Sequence, residues 1–146
     1  MPGHTRGTIV LLDREGRTLY SGDAINPNTL MHLVGSTTIE EYKESVIHLK
    51  SYQDAFDMMR GGHGSDGIPS SIIDDALMIC DKIMAGTDDA IEEEGIGGIG
   101  YRAAKVGPTF LPAYGGFFNV IYCKNYIFGK KDRSVLKDKA YVDNLQ

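Results

Sequence analysis

The chain has 146 residues, a length that suits one domain. Hydrophobic residues make up 42% and charged residues 24%, the composition of an ordinary globular protein. The net charge of −5 argues against nucleic acid as a partner, because binding to phosphates needs a positive surface. No apolar run reaches the ~20 residues of a membrane helix, and the first residues lack the pattern of a signal peptide. With two cysteines and no disulfide framework, we expect a cytoplasmic protein that does not bind membranes.

The first predicted elements form a hairpin. The segment Thr8–Asp13 is continuously apolar and rich in β-branched residues, which predicts a strand buried on both faces. A turn sequence that ends in Gly16 follows, and then a second strand over Arg17–Ser21. The Asn-Pro-Asn sequence at 26–28 predicts a loop.

Two helices are predicted next, with a short strand between them. Thr37 and Thr38 each precede a glutamate by three residues, a doubled capping-box signal that begins a helix ending near Tyr52. A strand over 55–59 then leads into a glycine-rich loop. The second helix starts around Pro69 and Ser71 and stops at Gly86.

The second half of the chain is mainly turns and strands. The acidic stretch 88–94 predicts a solvated segment, and 95–100 a flexible or turn-rich one. The glycines at 95–100 match G-x-G-x-x-G, but no strand precedes them and no helix follows, so we predict no dinucleotide site. Three later segments have the composition typical of strands: Tyr101–Val106, Phe117–Tyr122 and Asn125–Phe128. Residues 130–146 form a basic tail, and the predicted class is α/β (α+β).

Three polar residues have similar neighbours in the sequence. His4, Asp23 and His63 each adjoin a glycine and each lie at the end of a predicted strand, where side chains from different segments converge. Two imidazoles and a carboxylate suit zinc, with iron or manganese as possible alternatives. The sequence therefore predicts His4, Asp23 and His63 as metal ligands.

The flanks of these residues carry a family resemblance. Pro-Gly-His-Thr-x-Gly at 2–7, Leu-Leu-Asp at 11–13, Leu-x-Ser-Gly-Asp at 19–23 and Gly-His-Gly at 62–64 together resemble the second half of a metallo-β-lactamase-fold hydrolase. That resemblance covers roughly residues 2–86. It implies that His4 binds one metal, that His63 binds a second, and that Asp23, as the catalytic carboxylate, bridges both.

The resemblance also implies what the chain lacks. The family's His-x-His-x-Asp-His motif would lie upstream of His4 and does not occur in this sequence. Residues 1–129 are therefore predicted to be the C-terminal half of a four-layer αββα sandwich, with 130–146 as a separate tail. The implied function is zinc-dependent hydrolysis of a small-molecule ester, lactone, thioester or phosphodiester. The half-domain needs a partner, either the missing N-terminal half or a second copy. The alternative is a non-catalytic interaction module, or one part of a split enzyme.

Other candidate residues are given structural roles. Cys80 is predicted to be a small core residue of the second helix, and His48 a surface residue of the first. His32 lies in a predicted loop, where lining a substrate pocket stays open as an alternative. Arg6 either borders the site entrance or points outward.

Overall fold

The computed structural model describes residues 1–63, 66–104 and 118–129. Its elements, in chain order, are β1 (Leu11–Asp13), β2 (Thr18–Gly22), β3 (Asn28–Leu30), α1 (Ile39–Lys50), β4 (Met58–Gly61), β5 (Ile68–Pro69), α2 (Ile72–Ala85), β6 (Ile91–Gly95), β7 (Gly98–Ala104) and β8 (Asn119–Tyr122). The predicted tail at 130–146 lies outside the described residues. Two helices and two four-stranded sheets make this a mixed α+β fold, which confirms the predicted class.

The two sheets mix parallel and antiparallel pairs. The first has the order β1-β2-β4-β5, and its central pair, β2 with β4, is parallel. The second has the order β3-β8-β7-β6, in which β3 and β8 are parallel. A parallel pair needs a crossover connection, and between β2 and β4 that connection contains β3 and α1.

Both helices lie where the sequence predicts them, except that Pro69, predicted at the start of α2, belongs to β5 and α2 begins after Ser71. Thr38 is the N-cap of α1: its hydroxyl accepts from the backbone N–H of Glu41, and the Glu41 carboxylate accepts from the N–H of Thr38. Of the two Thr–Glu pairs in the sequence, only Thr38 with Glu41 forms the capping box. Helix α2 ends at Gly86, whose φ of 66° is the left-handed conformation that glycine adopts readily.

The core lies between the helices and the sheets. The helices meet along an apolar seam and are joined at their surfaces by the ion pairs Lys43–Asp81 and Lys50–Asp74. Fully buried side chains come from both helices and both sheets: Leu19, Tyr42, Val46, Met59, Ile73, Ala76, Ile79 and Val120. None of the helices in the described ranges has the length and apolar character needed to cross a membrane.

Three predictions about local structure were wrong. The first strand is shorter than Thr8–Asp13 and is not buried on both faces, because β1 is a sheet edge and Leu11 is 62% exposed. The loop at 26–28 runs into β3. The acidic stretch is largely exposed, as predicted for a solvated segment, and it also forms β6, which pairs with β7 across the glycine turn. Asn125–Phe128 contains no strand, since a 3-10 turn occupies Lys124–Tyr126.

Candidate functional site

Asp23 follows the carboxyl end of β2. The register with β4 shifts between Tyr20 and Gly22, and Gly22 has a φ of 53°, so the chain turns sharply before Asp23. The Asn26 amide donates to Asp23 Oδ1 over 3.2 Å, and the Asp23 side chain is 35% exposed. The carboxylate is therefore oriented through Oδ1 by a buried neighbour, while its second oxygen, Oδ2, lies near His63.

His63 follows the carboxyl end of β4, beside Asp23. Because β2 and β4 are parallel, their carboxyl ends meet at one edge of the sheet, and the Gly62 N–H donates to the carbonyl of Gly22 over 2.8 Å. Gly62 passes so close to Asp23 that a Cβ at this position would overlap the carboxylate oxygen. His63 Nε2 lies 3.5 Å from Asp23 Oδ2, with the imidazole 85% exposed.

The distance between those two atoms suits a shared metal. Two ligands of a tetrahedral zinc ion, each at ~2.0–2.1 Å from the metal, lie ~3.3–3.4 Å apart. The separation of Asp23 Oδ2 and His63 Nε2 is close to that value. Imidazole nitrogen and carboxylate oxygen are both donors that zinc accepts. The pair therefore fits two positions of a zinc site.

His4 is held by a separate set of contacts. Gly3 packs on the ring of Tyr42, a fully buried residue of α1, and its carbonyl accepts from the N–H of Thr37 over 2.9 Å. The Nδ1 atom of His4 lies 2.9 Å from the carbonyl of Leu30 at the end of β3. A carbonyl only accepts, so Nδ1 carries the hydrogen, and in the neutral ring the lone pair is on Nε2. Metal-bound histidines are commonly oriented by such a bond from the other ring nitrogen.

The structure brings two of the three predicted ligands together. Asp23 and His63 are adjacent, while His4 is not grouped with them. In the described parts of the chain, no three His, Cys, Asp or Glu side chains converge closely enough to hold a metal ion. Completion of a site needs ligands beyond this pair.

The remaining histidines have structural settings. His48 is exposed on α1 and makes an edge-on contact with Tyr52, as predicted for a surface residue. His32 is buried, and its Nε2 lies 2.7 Å from the carbonyl of Ile96. Its ring packs beneath Gly97 and Gly100 of the β6–β7 hairpin.

Two further predictions concern Cys80 and Arg6. Cys80 is fully buried in α2, and burial raises the pKa of its thiol to about 12, which excludes it as a nucleophile near neutral pH. Arg6 pairs with Glu41 at 3.3 Å and so fixes the segment around His4 to the start of α1.

Sequence reasoning missed Asn26. The sequence pattern predicts only a loop at this position, whereas the buried Asn26 amide donates to Asp23 and its Oδ1 accepts from the N–H of Asn28. An Asn three residues after a candidate ligand is a recognisable signal, since Asn commonly makes such local bonds.

No protein-family model matches the chain. Over 54 residues, 37% of its length, the chain is 35% identical to the acyl-coenzyme A thioesterase MBLAC2 of Gallus gallus. The matched region spans 20% of the length of that protein. This partial similarity to a hydrolase agrees with the reaction class that the sequence motifs imply.

Proposed function

We propose that this chain belongs to a zinc-dependent hydrolase of the metallo-β-lactamase superfamily and supplies His4, Asp23 and His63 as metal ligands. The observation that carries the proposal is the 3.5 Å separation of Asp23 Oδ2 and His63 Nε2 at the carboxyl ends of two parallel strands. The resemblance of the flanking motifs and the partial similarity to a thioesterase are the sequence support for it.

Each residue would have a distinct task. Asp23, oriented by Asn26 through Oδ1, places Oδ2 beside Nε2 of the exposed His63. His4 is locked by Leu30 with Nε2 available. When bound, zinc would supply hydroxide near neutral pH and polarise the substrate carbonyl.

Thioesters are the substrate class to test first. Esters, lactones, thioesters and phosphodiesters are all hydrolysed on this fold, and the fold alone does not select among them. The similarity is to a protein named as an acyl-coenzyme A thioesterase, which favours an acyl thioester. Neither His32 nor Cys80 is available as an alternative nucleophile or base, because both are buried within the fold.

The site would be completed by a second polypeptide segment. The superfamily's His-x-His-x-Asp-His motif is not present in the 146 residues. Its ligands would come from an N-terminal half or another chain, and iron or manganese could replace zinc in the complete site. Activity of this chain by itself is therefore a separate question from metal binding.

The test is zinc binding by the purified chain and three histidine variants. We expect His63→Ala and His4→Ala each to weaken zinc binding at least about tenfold, the order of loss seen when a supporting group of a metal site is removed. His48→Ala is the matched control, because His48 is exposed on α1 and takes no part in the site. Zinc binding that is equal in all three variants would refute the assignment. Release of free thiol from an acyl-coenzyme A tests the substrate class once a second polypeptide segment has supplied the missing ligands.

A further inference from the structure

One face of the first sheet carries exposed apolar side chains. Leu11, Tyr20 and Met58 are 62%, 45% and 44% exposed, and Ile9, two residues before Leu11, is 74% exposed. Leu11 lies directly opposite Tyr20, so the two share this face. The other face is buried under the helices, with side chains at most 1% exposed: Leu19, Met59 and Ile68. Among the described residues, packed side chains thus cover one side of the sheet, while on the other side Thr18 is buried and its neighbours are exposed.

Opposite charges stand at two corners of the same face. The register places Asp13, Thr18 and Met58 in one row across the strands, and Leu11, Tyr20 and Arg60 in the next. Asp13 and Arg60 are therefore diagonal to each other. With strands ~4.8 Å apart and rows two residues apart, their Cα atoms are separated by ~12 Å.

This pattern is complementary to itself. Consider a second copy placed face to face with the first by a two-fold axis that lies in the plane of the interface. This axis is perpendicular to the line between Asp13 and Arg60 and passes through its midpoint. Arg60 of one copy then faces the partner's Asp13, and the contact occurs twice by symmetry. Leu11 and Met58 fall close to the axis, so each meets its own counterpart. An apolar centre with charges at its rim is the usual composition of a protein–protein interface.

We propose that two copies of this chain pack face to face through this surface, with Leu11, Tyr20 and Met58 at the centre and two Asp13–Arg60 pairs at the rim. The proposal does not depend on metal, since none of these side chains is a candidate ligand. A dimer is therefore expected for His63→Ala as well, so loss of the proposed function and loss of the dimer are distinguishable.

The first experiment is sedimentation velocity of the full chain across the micromolar range. We expect a dimer for the wild type and a monomer for Leu11→Lys, because the two lysines would face each other near the axis and be buried without a partner charge. Ile47→Lys is the matched control: Ile47 is 52% exposed but lies on α1, away from this face, and the variant should remain dimeric. A monomeric wild type would assign the face to another polypeptide and refute the proposal, and a dimeric Leu11→Lys would refute it equally.

The second experiment tests the two-fold arrangement. Arg60→Glu and Asp13→Lys each place like charges together twice, and each should raise the dimer dissociation constant about tenfold. An equal mixture of the two variants should restore wild-type affinity, because the mixed dimer regains two opposite-charge contacts. Failure of the mixture to associate better than either variant alone would overturn the arrangement.

Asp13 also has a structural role, which needs a control. Its Oδ1 accepts from the Gly16 N–H over 2.9 Å, and Asp13→Lys removes this bond. Asp13→Asn keeps the acceptor and removes the charge. It should weaken the dimer less than Asp13→Lys, and circular dichroism of each variant confirms that the hairpin has folded.

Discussion

Replacing Gly3 with alanine tests how the fold positions His4. A Cβ at Gly3 would lie 2.6 Å from Cδ2 and 3.0 Å from Cε2 of Tyr42, whereas carbon atoms pack best at ~3.5–4.0 Å. Tyr42 is fully buried, so its ring has no free space to move into. Overpacking of this kind costs about 1–3 kcal/mol, and the smaller conformational freedom of alanine in the unfolded chain returns about 0.4–1 kcal/mol. Taking the middle of each range, we expect Gly3→Ala to lower the free energy of unfolding by about 1–2 kcal/mol.

Urea denaturation followed by circular dichroism measures this change, and the melting temperature should fall by about 3–6 °C. Gly7→Ala is the matched control: a Cβ there meets nothing within 4 Å, so its stability should be unchanged or slightly higher. In a Tyr42→Leu background the cost of Gly3→Ala should shrink, because the opposing ring is gone. Equal stability of the Gly3→Ala and Gly7→Ala chains would refute the reasoning. So would an undiminished cost in the Tyr42→Leu background.

Three further substitutions test other contacts. Gly62→Ala should displace the Asp23 carboxylate and weaken zinc binding, as measured by titration. Stability should change little, since Asp23 is partly exposed. Gly35→Ala is the control in the same titration, because a Cβ there meets nothing within 4 Å. Thr38→Ala should lower the free energy of unfolding by about 1 kcal/mol, measured by urea denaturation, because it removes the capping box of α1. Asp74→Asn removes the partner of Lys50, whose hydrogen bond lowers the pKa of Asp74 below its usual 3.8. The pair is half exposed, so the loss at pH 7 should be under about 1 kcal/mol. This difference in stability should disappear when thermal unfolding is measured at acid pH, because the wild-type carboxylate is then itself protonated, below its native pKa.

The helices could be predicted because their signals are local. The Thr38–Glu41 capping box and Gly86 act within one turn of their helix, so the sequence there determines the structure directly. The strands depended on context that the sequence does not contain. The apolar run before Asp13 has the composition of a strand buried on both faces, yet β1 is an edge strand whose outer face is uncovered.

The second sheet contains a strand, β6, that the sequence pattern did not predict. The acidic residues of β6 carry no alternation of apolar and polar residues, so period-2 patterning did not predict a strand. The strand forms because β7 offers a full antiparallel partner across a tight glycine turn, with Gly97 and Gly98 at φ 86° and 98°. An exposed edge strand needs no buried face, and charged side chains on it also discourage association with other sheets.

At the site, the sequence predicted which residues are candidate ligands but not which of them meet. The adjacency of Asp23 and His63 requires that β2 and β4 pair in parallel over a connection that contains α1, a long-range contact with no local signal. Once that pairing exists, the Gly62–Gly22 hydrogen bond sets the approach of the two loops. The absence of a side chain at Gly62 then leaves room for the carboxylate. His4 depends instead on Tyr42 and Leu30, elements of a different part of the fold. The two halves of the proposed site are therefore held by independent contacts, so a variant that loosens His4 should leave the Asp23–His63 pair intact.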